Sequence, residues 1–260
     1  MTGLTRDGIG SARRIVVKVG SSSISGEHVG QIEKLVDALA EAHERGAEVV
    51  LVSSGAIATG MPYLRLGERP DDLATQQAAA SVGQNILIYR YQESLRRYGI
   101  VAGQVLLTAG DLENTTPRVN AQRAMERLLG LRILPIVNEN DTVATHEIRF
   151  GDNDRLAALV AELVGAELLV LLSDVDALYT KPPHLEGAER ISHVPYGDEL
   201  AGVQIGSVGR EGVGTGGAET KVSAARIAAA SGAGVLITAT ALVREALRGD
   251  ELGTWFEPAP

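Results

Sequence analysis

Short apolar runs recur along the chain, and each is followed by a stretch in which apolar positions return every three or four residues. The runs at 15–19, 49–52, 101–107, 133–137, 168–172 and 235–238 predict strands, too continuously apolar to leave one face in water. Between them, 32–45, 73–98, 120–129, 156–164, 220–230 and 242–247 predict helices. In the first of these Ile32, Leu35, Val36, Leu39 and Ala42 share one face. The second is long and rich in Ala and Gln, with Gly83 as the place where it is expected to break.

Strands separated regularly by helices imply βαβ crossovers, and hence an α/β fold: a three-layer α/β/α sandwich around a mainly parallel central sheet. The stretch 179–217 leaves this rhythm, with Pro182, Pro183, Pro195 and many glycines, and is expected to form a hairpin or lobe over the second half of the sheet. Residues 1–12 show no periodicity and read as a flexible tail. No linker separates the remainder, so 13–260 reads as one domain with two lobes, about 13–165 and about 166–257.

Composition narrows the classes of function. A chain of 260 residues, 45% of them hydrophobic, can bury a substantial core. With no cysteine, disulfides and thiolate-bound zinc are excluded, and the five histidines show no paired ligand spacing, so no metal-ligating residue is assigned. A net charge of -9 argues against nucleic acid or an anionic membrane as the main partner. No secretory leader pattern or bilayer-length apolar stretch is visible, and the expected compartment is the cytoplasm.

Two polar clusters interrupt this pattern where core packing has no use for them. Asn138-Glu139-Asn140-Asp141 follows a predicted strand, and Gly151-Asp152-Asn153-Asp154 precedes a predicted helix. Open α/β sheets bind ligands at the carboxyl ends of their strands, so the pair marks a candidate active site; a turn and a helix cap are the competing reading. Lys18 ends the first strand beside Gly20-Ser21-Ser22-Ser23, joining an ammonium group to free backbone N–H groups, a combination suited to phosphate. Ser53-Ser54-Gly55 precedes a short helical stretch whose start welcomes an anion or is simply capped. Ser173-Asp174 ends the fifth strand, where it either contacts a nucleotide or forms a turn.

Gly212-Val213-Gly214-Thr215-Gly216-Gly217 satisfies G-x-G-x-x-G, but no strand precedes it and no acidic ribose ligand follows at the right distance. A loop over a phosphate tail, with Lys221 in the next helix adding positive charge, fits better than a dinucleotide fingerprint. No P-loop or protein-kinase signature is present.

Together, the segments Val16-Val17-Lys18-Val19-Gly20-Ser21, Val52-Ser53-Ser54-Gly55-Ala56-Ile57-Ala58, Asn138-Glu139-Asn140-Asp141-Thr142-Val143-Ala144, Gly151-Asp152-Asn153-Asp154 and Gly214-Thr215-Gly216-Gly217 with Lys221 resemble the amino acid kinase family. The two polar clusters are similar to those of the branch that phosphorylates glutamate on its side-chain carboxylate, the first step towards proline. The resemblance covers about 13–256 in order.

It implies ATP and Mg2+ as cofactors and L-glutamate as partner, with the first lobe serving glutamate and phosphoryl transfer and the second serving ATP. It also implies Lys18 and Lys221 as catalytic cations with Asp154 orienting them, and Ser54, Asp141 and Asn153 as the glutamate site. The ATP site implied is Lys18, Ser173, Asp174, Thr215, Gly216, Gly217, Ala218, Glu219, Thr220 and Lys221. A homo-oligomer, dimer or tetramer, and inhibition by proline are further implications. This chain departs from the family at Ala177, usually glycine, at Ser173, often threonine, and at Ala218-Glu219, where Glu219 adds a negative charge near the phosphate loop. Many members of the branch continue into a C-terminal PUA domain, and the expectation here is the kinase domain alone. Two other classes stay open on the residues: a non-catalytic amino-acid or nucleotide sensor on this fold, and a sibling kinase for another carboxylate or a nucleotide.

Overall fold

The computed structural model describes residues 3–143, 153–201, 203 and 217–260. Its strands are β1 (Arg14–Val19), β2 (Glu48–Ser53), β3 (Ala102–Leu107), β4 (Leu134–Glu139), β5 (Leu168–Ser173), β6 (Leu178–Tyr179), β7 (Arg190–Ile191), β8 (His193–Val194), β9 (Gly234–Ala239) and β10 (Thr254–Phe256). Its helices are α1 (Gln31–Glu44), α2 (Ala56–Gly60), α3 (Leu73–Arg96), α4 (Ala109–Glu113), α5 (Thr115–Gly130), α6 (Asn153–Val164), α7 (Ala218–Ala230) and α8 (Val243–Arg248). All six predicted strands and all six predicted helices are present, with ends shifted by a few residues.

One eight-stranded sheet runs β3-β4-β2-β1-β5-β9-β10-β8. Every pairing from β3 to β9 is parallel; β10 pairs antiparallel with β9, and β8 runs parallel to β10. Alternation along each central strand divides its side chains between two cores. Ile15, Val17 and Val19 join Val49 and Leu51 in the cluster that buries α1, α3 and α8. Val16, Val50, Val52, Leu169 and Leu171 join the cluster that buries α4, α5, α6 and α7. The sandwich has three layers, and the continuously apolar strands reflect burial on both faces.

Strand β1 has β2 on one side and β5 on the other, with Lys18 opposite Val52 and Leu171. The chain leaves β1 towards β2 and later returns to its other flank through β5, so the connection reverses direction beside β1. Such a reversal opens a crevice at the carboxyl ends of the strands. There Gly20, Ser53-Ser54, Asn138 to Asp141 and Ser173-Asp174 come together.

Four expectations are corrected. The opening segment is no loose tail from Gly3 onward: Arg6–Ser11 forms a 3-10 turn, Ile9 is fully buried, and the Arg6 guanidinium donates to the carbonyls of Asp250 and Leu252. α5 begins five residues before the expected 120, because Pro117 lies in a first turn whose N–H groups have no helical partners. Trp255 sits in an unpredicted strand, β10, and its ring lies against Gly234, where an added Cβ would come within 2.1 Å of it.

Helix α3, finally, runs unbroken through Gly83. A Cβ on Gly83 would lie 1.8 Å from the Ala56 carbonyl oxygen, and one on Gly60 would lie 1.9 Å from that of Ala79. Gly83 is therefore a crossing point where α2 touches α3 backbone to backbone. Gly83→Ala is expected to push α2 away and to destabilise the protein by about 2 kcal/mol, within the range for overpacked sites. Chemical denaturation of the variant, with an unchanged denaturant slope, checks this.

Candidate active site

The position of Lys18 follows from strand alternation: like Val16 it faces the α6 and α7 layer, and its side chain is 3% exposed. An ammonium group so placed needs a counter-charge. The first turn of α6 supplies it, since Lys18 Nζ lies 2.5 Å from Asp154 Oδ1 and Asp154 is fully buried. The first turn of α7 adds a second cation, with Lys221 Nζ 2.9 Å from Asp154 Oδ2. The Thr220 hydroxyl donates to the same Oδ2 at 3.1 Å and lies 2.9 Å from the Gly217 carbonyl oxygen.

Two buried ammonium groups on one carboxylate leave the trio one positive charge in excess. The positive ends of the α6 and α7 dipoles reinforce it. Chemically, this arrangement suits an anionic ligand, with its cations held in place before the ligand arrives.

On the β5 flank, Asp174 accepts from the Ser22 hydroxyl at 3.1 Å and from that of Ser23 at 3.3 Å, tying the loop after β1 to the end of β5. The Thr240 hydroxyl supports the same loop, 2.9 Å from Ser23 Oγ and 3.3 Å from the Ser173 carbonyl oxygen. Gly217 is the N-cap of α7, and Ala218 is partly buried. Glu219 is exposed in the first turn of α7, where the helix dipole favours a carboxylate and water screens it from buried Lys221. Ala177, at the family's usual glycine, is buried. Thr215 and Gly216 lie outside the described residues, as do Gly151 and Asp152.

On the β2 and β4 flank, the Asn153 amide nitrogen donates to the Ser53 carbonyl at 2.6 Å and to Asn138 Oδ1 at 2.7 Å. Both its protons are used, so the Asn153 atom suited to meet a ligand is Oδ1, an acceptor. Asn138 in turn donates to Gln84 Oε1 at 2.7 Å. Ser54 follows β2 and precedes Gly55, whose φ of 94° makes the turn into α2. Such a left-handed φ favours glycine. Asp141 lines a cleft of about 230 Å³ together with Ala56, Gln84, Gln104, Glu139 and Thr142.

The geometry thus brings Lys18, Asp154, Thr220 and Lys221 into direct contact, joins Asn153 to β2, and sets Asp174 against the serine loop. Asn138, Gln84 and Thr240 also belong to these networks and were not singled out as site residues from the sequence. Asn138 was visible inside its cluster; Gln84 and Thr240 lie in helical stretches whose composition carries no signal.

The profile of the amino acid kinase family matches residues 13–239. The chain belongs to the amino acid kinase family. Among its relatives, glutamate 5-kinase of Leifsonia xyli subsp. xyli is 78% identical over 98% of this chain and 94% of that relative. Glutamate 5-kinase of Clavibacter sepedonicus is 76% identical over 98% of both. Glutamate 5-kinase of Thermobifida fusca is 57% identical over 99% of this chain and 67% of its own length. Among solved structures, a carbamate kinase from Giardia lamblia bound to AMP-PNP superposes with a TM-score of 0.68 at 17% identity, covering 96% of this chain and all of that one. At that identity the likeness is one of fold, and it agrees with the amino acid kinase architecture described above.

Among the described residues no helix is long and apolar enough to cross a membrane. Removing the central carboxylate tests the electrostatics of the family site. Asp154→Asn removes the carboxylate that Lys18 and Lys221 share and is expected to cost about 3 kcal/mol or more, measured by denaturant unfolding at neutral pH. A Lys18→Met change in the same background is expected to return part of the loss.

Proposed function

We propose that this amino acid kinase is an ATP-dependent glutamate 5-kinase, moving the γ-phosphoryl group of ATP to the side-chain carboxylate of L-glutamate in the first step of proline biosynthesis. The single observation that carries the reading is the 78% identity to a glutamate 5-kinase over 98% of the chain. The Lys18–Asp154–Lys221 trio supplies chemistry that fits it.

The acceptor is already ionised at neutral pH, so no general base is needed. The obstacle is repulsion between two anions. Lys18 and Lys221 offset it, on opposite oxygens of Asp154, and stabilise the charge spread over the transferring group. Asp154 holds both ammonium groups in place.

Glutamate binds on the β2 and β4 flank: Asp141 and Asn153 Oδ1 suit its ammonium group, and the turn at Ser54 with the start of α2 suits a carboxylate. ATP binds on the β5 flank, through Ser173, Asp174 and the segment Thr215, Gly216, Gly217, Ala218, Glu219, Thr220 and Lys221. The first lobe then handles glutamate and phosphoryl transfer, and the second handles ATP. Mg2+ arrives with the nucleotide: no group of three His, Asp or Glu side chains able to hold a metal exists among the described residues, and phosphate oxygens and water are its usual ligands in such sites. The same reading includes a cytoplasmic location, a homo-oligomer and inhibition by proline.

A coupled assay with ATP, Mg2+ and L-glutamate is expected to show glutamate-dependent ADP release; its absence from well-folded protein would sink the proposal. Lys18→Ala and Lys221→Ala are each expected to lower turnover about a hundredfold or more, measured alongside thermal unfolding. Binding of both substrates without turnover by the wild-type chain would instead indicate a sensor.

A further inference from the structure

Tyr91 is fully buried, and it lies in the apolar cluster beneath α1 and α3 with Leu87 and Leu95. Phenylalanine would pack there equally well without needing a partner, so the phenol hydroxyl calls for a reason. Among the described residues its hydroxyl lies 3.0 Å from Ser53 Oγ, and Ser53 Oγ also lies 3.1 Å from the Ser54 carbonyl oxygen. A serine hydroxyl carries one proton. Both contacts are hydrogen bonds only if Ser53 donates to Ser54 and Tyr91 donates to Ser53. Burial pushes the Tyr91 hydroxyl above its ordinary range, so it stays protonated and remains the donor.

This directed pair belongs to a closed ring. The Ser53 carbonyl accepts from Asn153, Asn153 donates also to Asn138, and Asn138 donates to Gln84. Gln84 and Tyr91 are seven residues apart on α3, two turns along the same helical side. The ring therefore starts and ends on one rigid helix and passes through β2, α6 and β4.

We propose that Tyr91 is a positioning residue: through Ser53 it fixes the Ser54 carbonyl and the Ser53-Ser54-Gly55 turn, and so sets how tightly glutamate binds. The inference rests on the reading that glutamate is held at Ser54 and Asn153. It goes beyond that reading by assigning the control of the site to a side chain with no ligand contact of its own.

Steady-state kinetics of Tyr91→Phe, with each substrate varied in turn, tests it. Loss of one buried hydrogen bond is expected to raise KM for glutamate about three- to tenfold, leaving KM for ATP within about twofold. Ser53→Ala cuts the same link from the other side and is expected to shift the same constant, and the double variant is expected to be no worse than Ser53→Ala alone. A lowered melting temperature with an unchanged glutamate KM in both single variants overturns the positioning role, as does an equal rise in both KM values. Should the wild-type chain release no ADP with glutamate, the proposed function falls and this inference with it; an active wild type with unaffected variants removes the inference alone.

Discussion

A single carboxylate held between two buried ammonium groups sets the terms for the rest of this molecule. Asp154 meets Lys18 and Lys221 where water is nearly absent, and none of the three could occupy its place without the others. Lys18 requires β1 at the centre of the sheet, because only a central strand has a helical layer covering its carboxyl end. Asp154 and Lys221 require α6 and α7 to begin over that same end, side by side. The sheet order, with β2 and β5 flanking β1, is the arrangement that satisfies these demands and leaves a crevice on each side.

The two flanks are built differently. Towards β5, hydroxyl groups of the loop after β1 are pinned by Asp174 and Thr240, so backbone N–H groups are presented on a braced turn. Towards β2 and β4, amide side chains form a ring anchored on α3, and α2 is held against the same helix at a spacing that leaves no room for a Cβ at Gly60 or Gly83. One long helix thus supports both the turn that precedes α2 and the amide at the end of β4. Rigid support of this kind is what transfer between two anions requires, since misplacement by an ångström is costly.

Much of this was legible in the residues. The continuous apolar runs reported strands covered on both faces, and the excess of Asn and Asp after 137 and before 155 reported the crevice. What escaped has physical reasons. The segment near the N-terminus has too few apolar residues for periodicity, yet Ile9 and Ala12 are buried in the core and Leu4 packs against it. Gly83 reads as a helix breaker by propensity, whereas contact with α2 makes the absent side chain the reason the helix can stand there. Trp255 sits in three residues of strand, too short to alternate visibly. Asn153 was assigned to glutamate as a whole, but its nitrogen is spent on Ser53 and Asn138; which end of an amide faces a ligand depends on neighbours far away in the sequence. Thr215 and Gly216 belong to the glycine segment outside the described residues, and their part in ATP binding rests on the family pattern.

The charged trio is drawn from positions 18, 154 and 221, near the beginning, the middle and the far end of the chain. Contacts of such long separation form late, because most of the chain must exist and most of its entropy be given up before they can. During synthesis the strand bearing Lys18 pairs with β2 well before β5 or α7 has been made. A growing chain can therefore assemble much of the first lobe while the charged trio is still incomplete. The trio is then completed only with the last third of the polypeptide, which carries Lys221 and with it the second cation on Asp154.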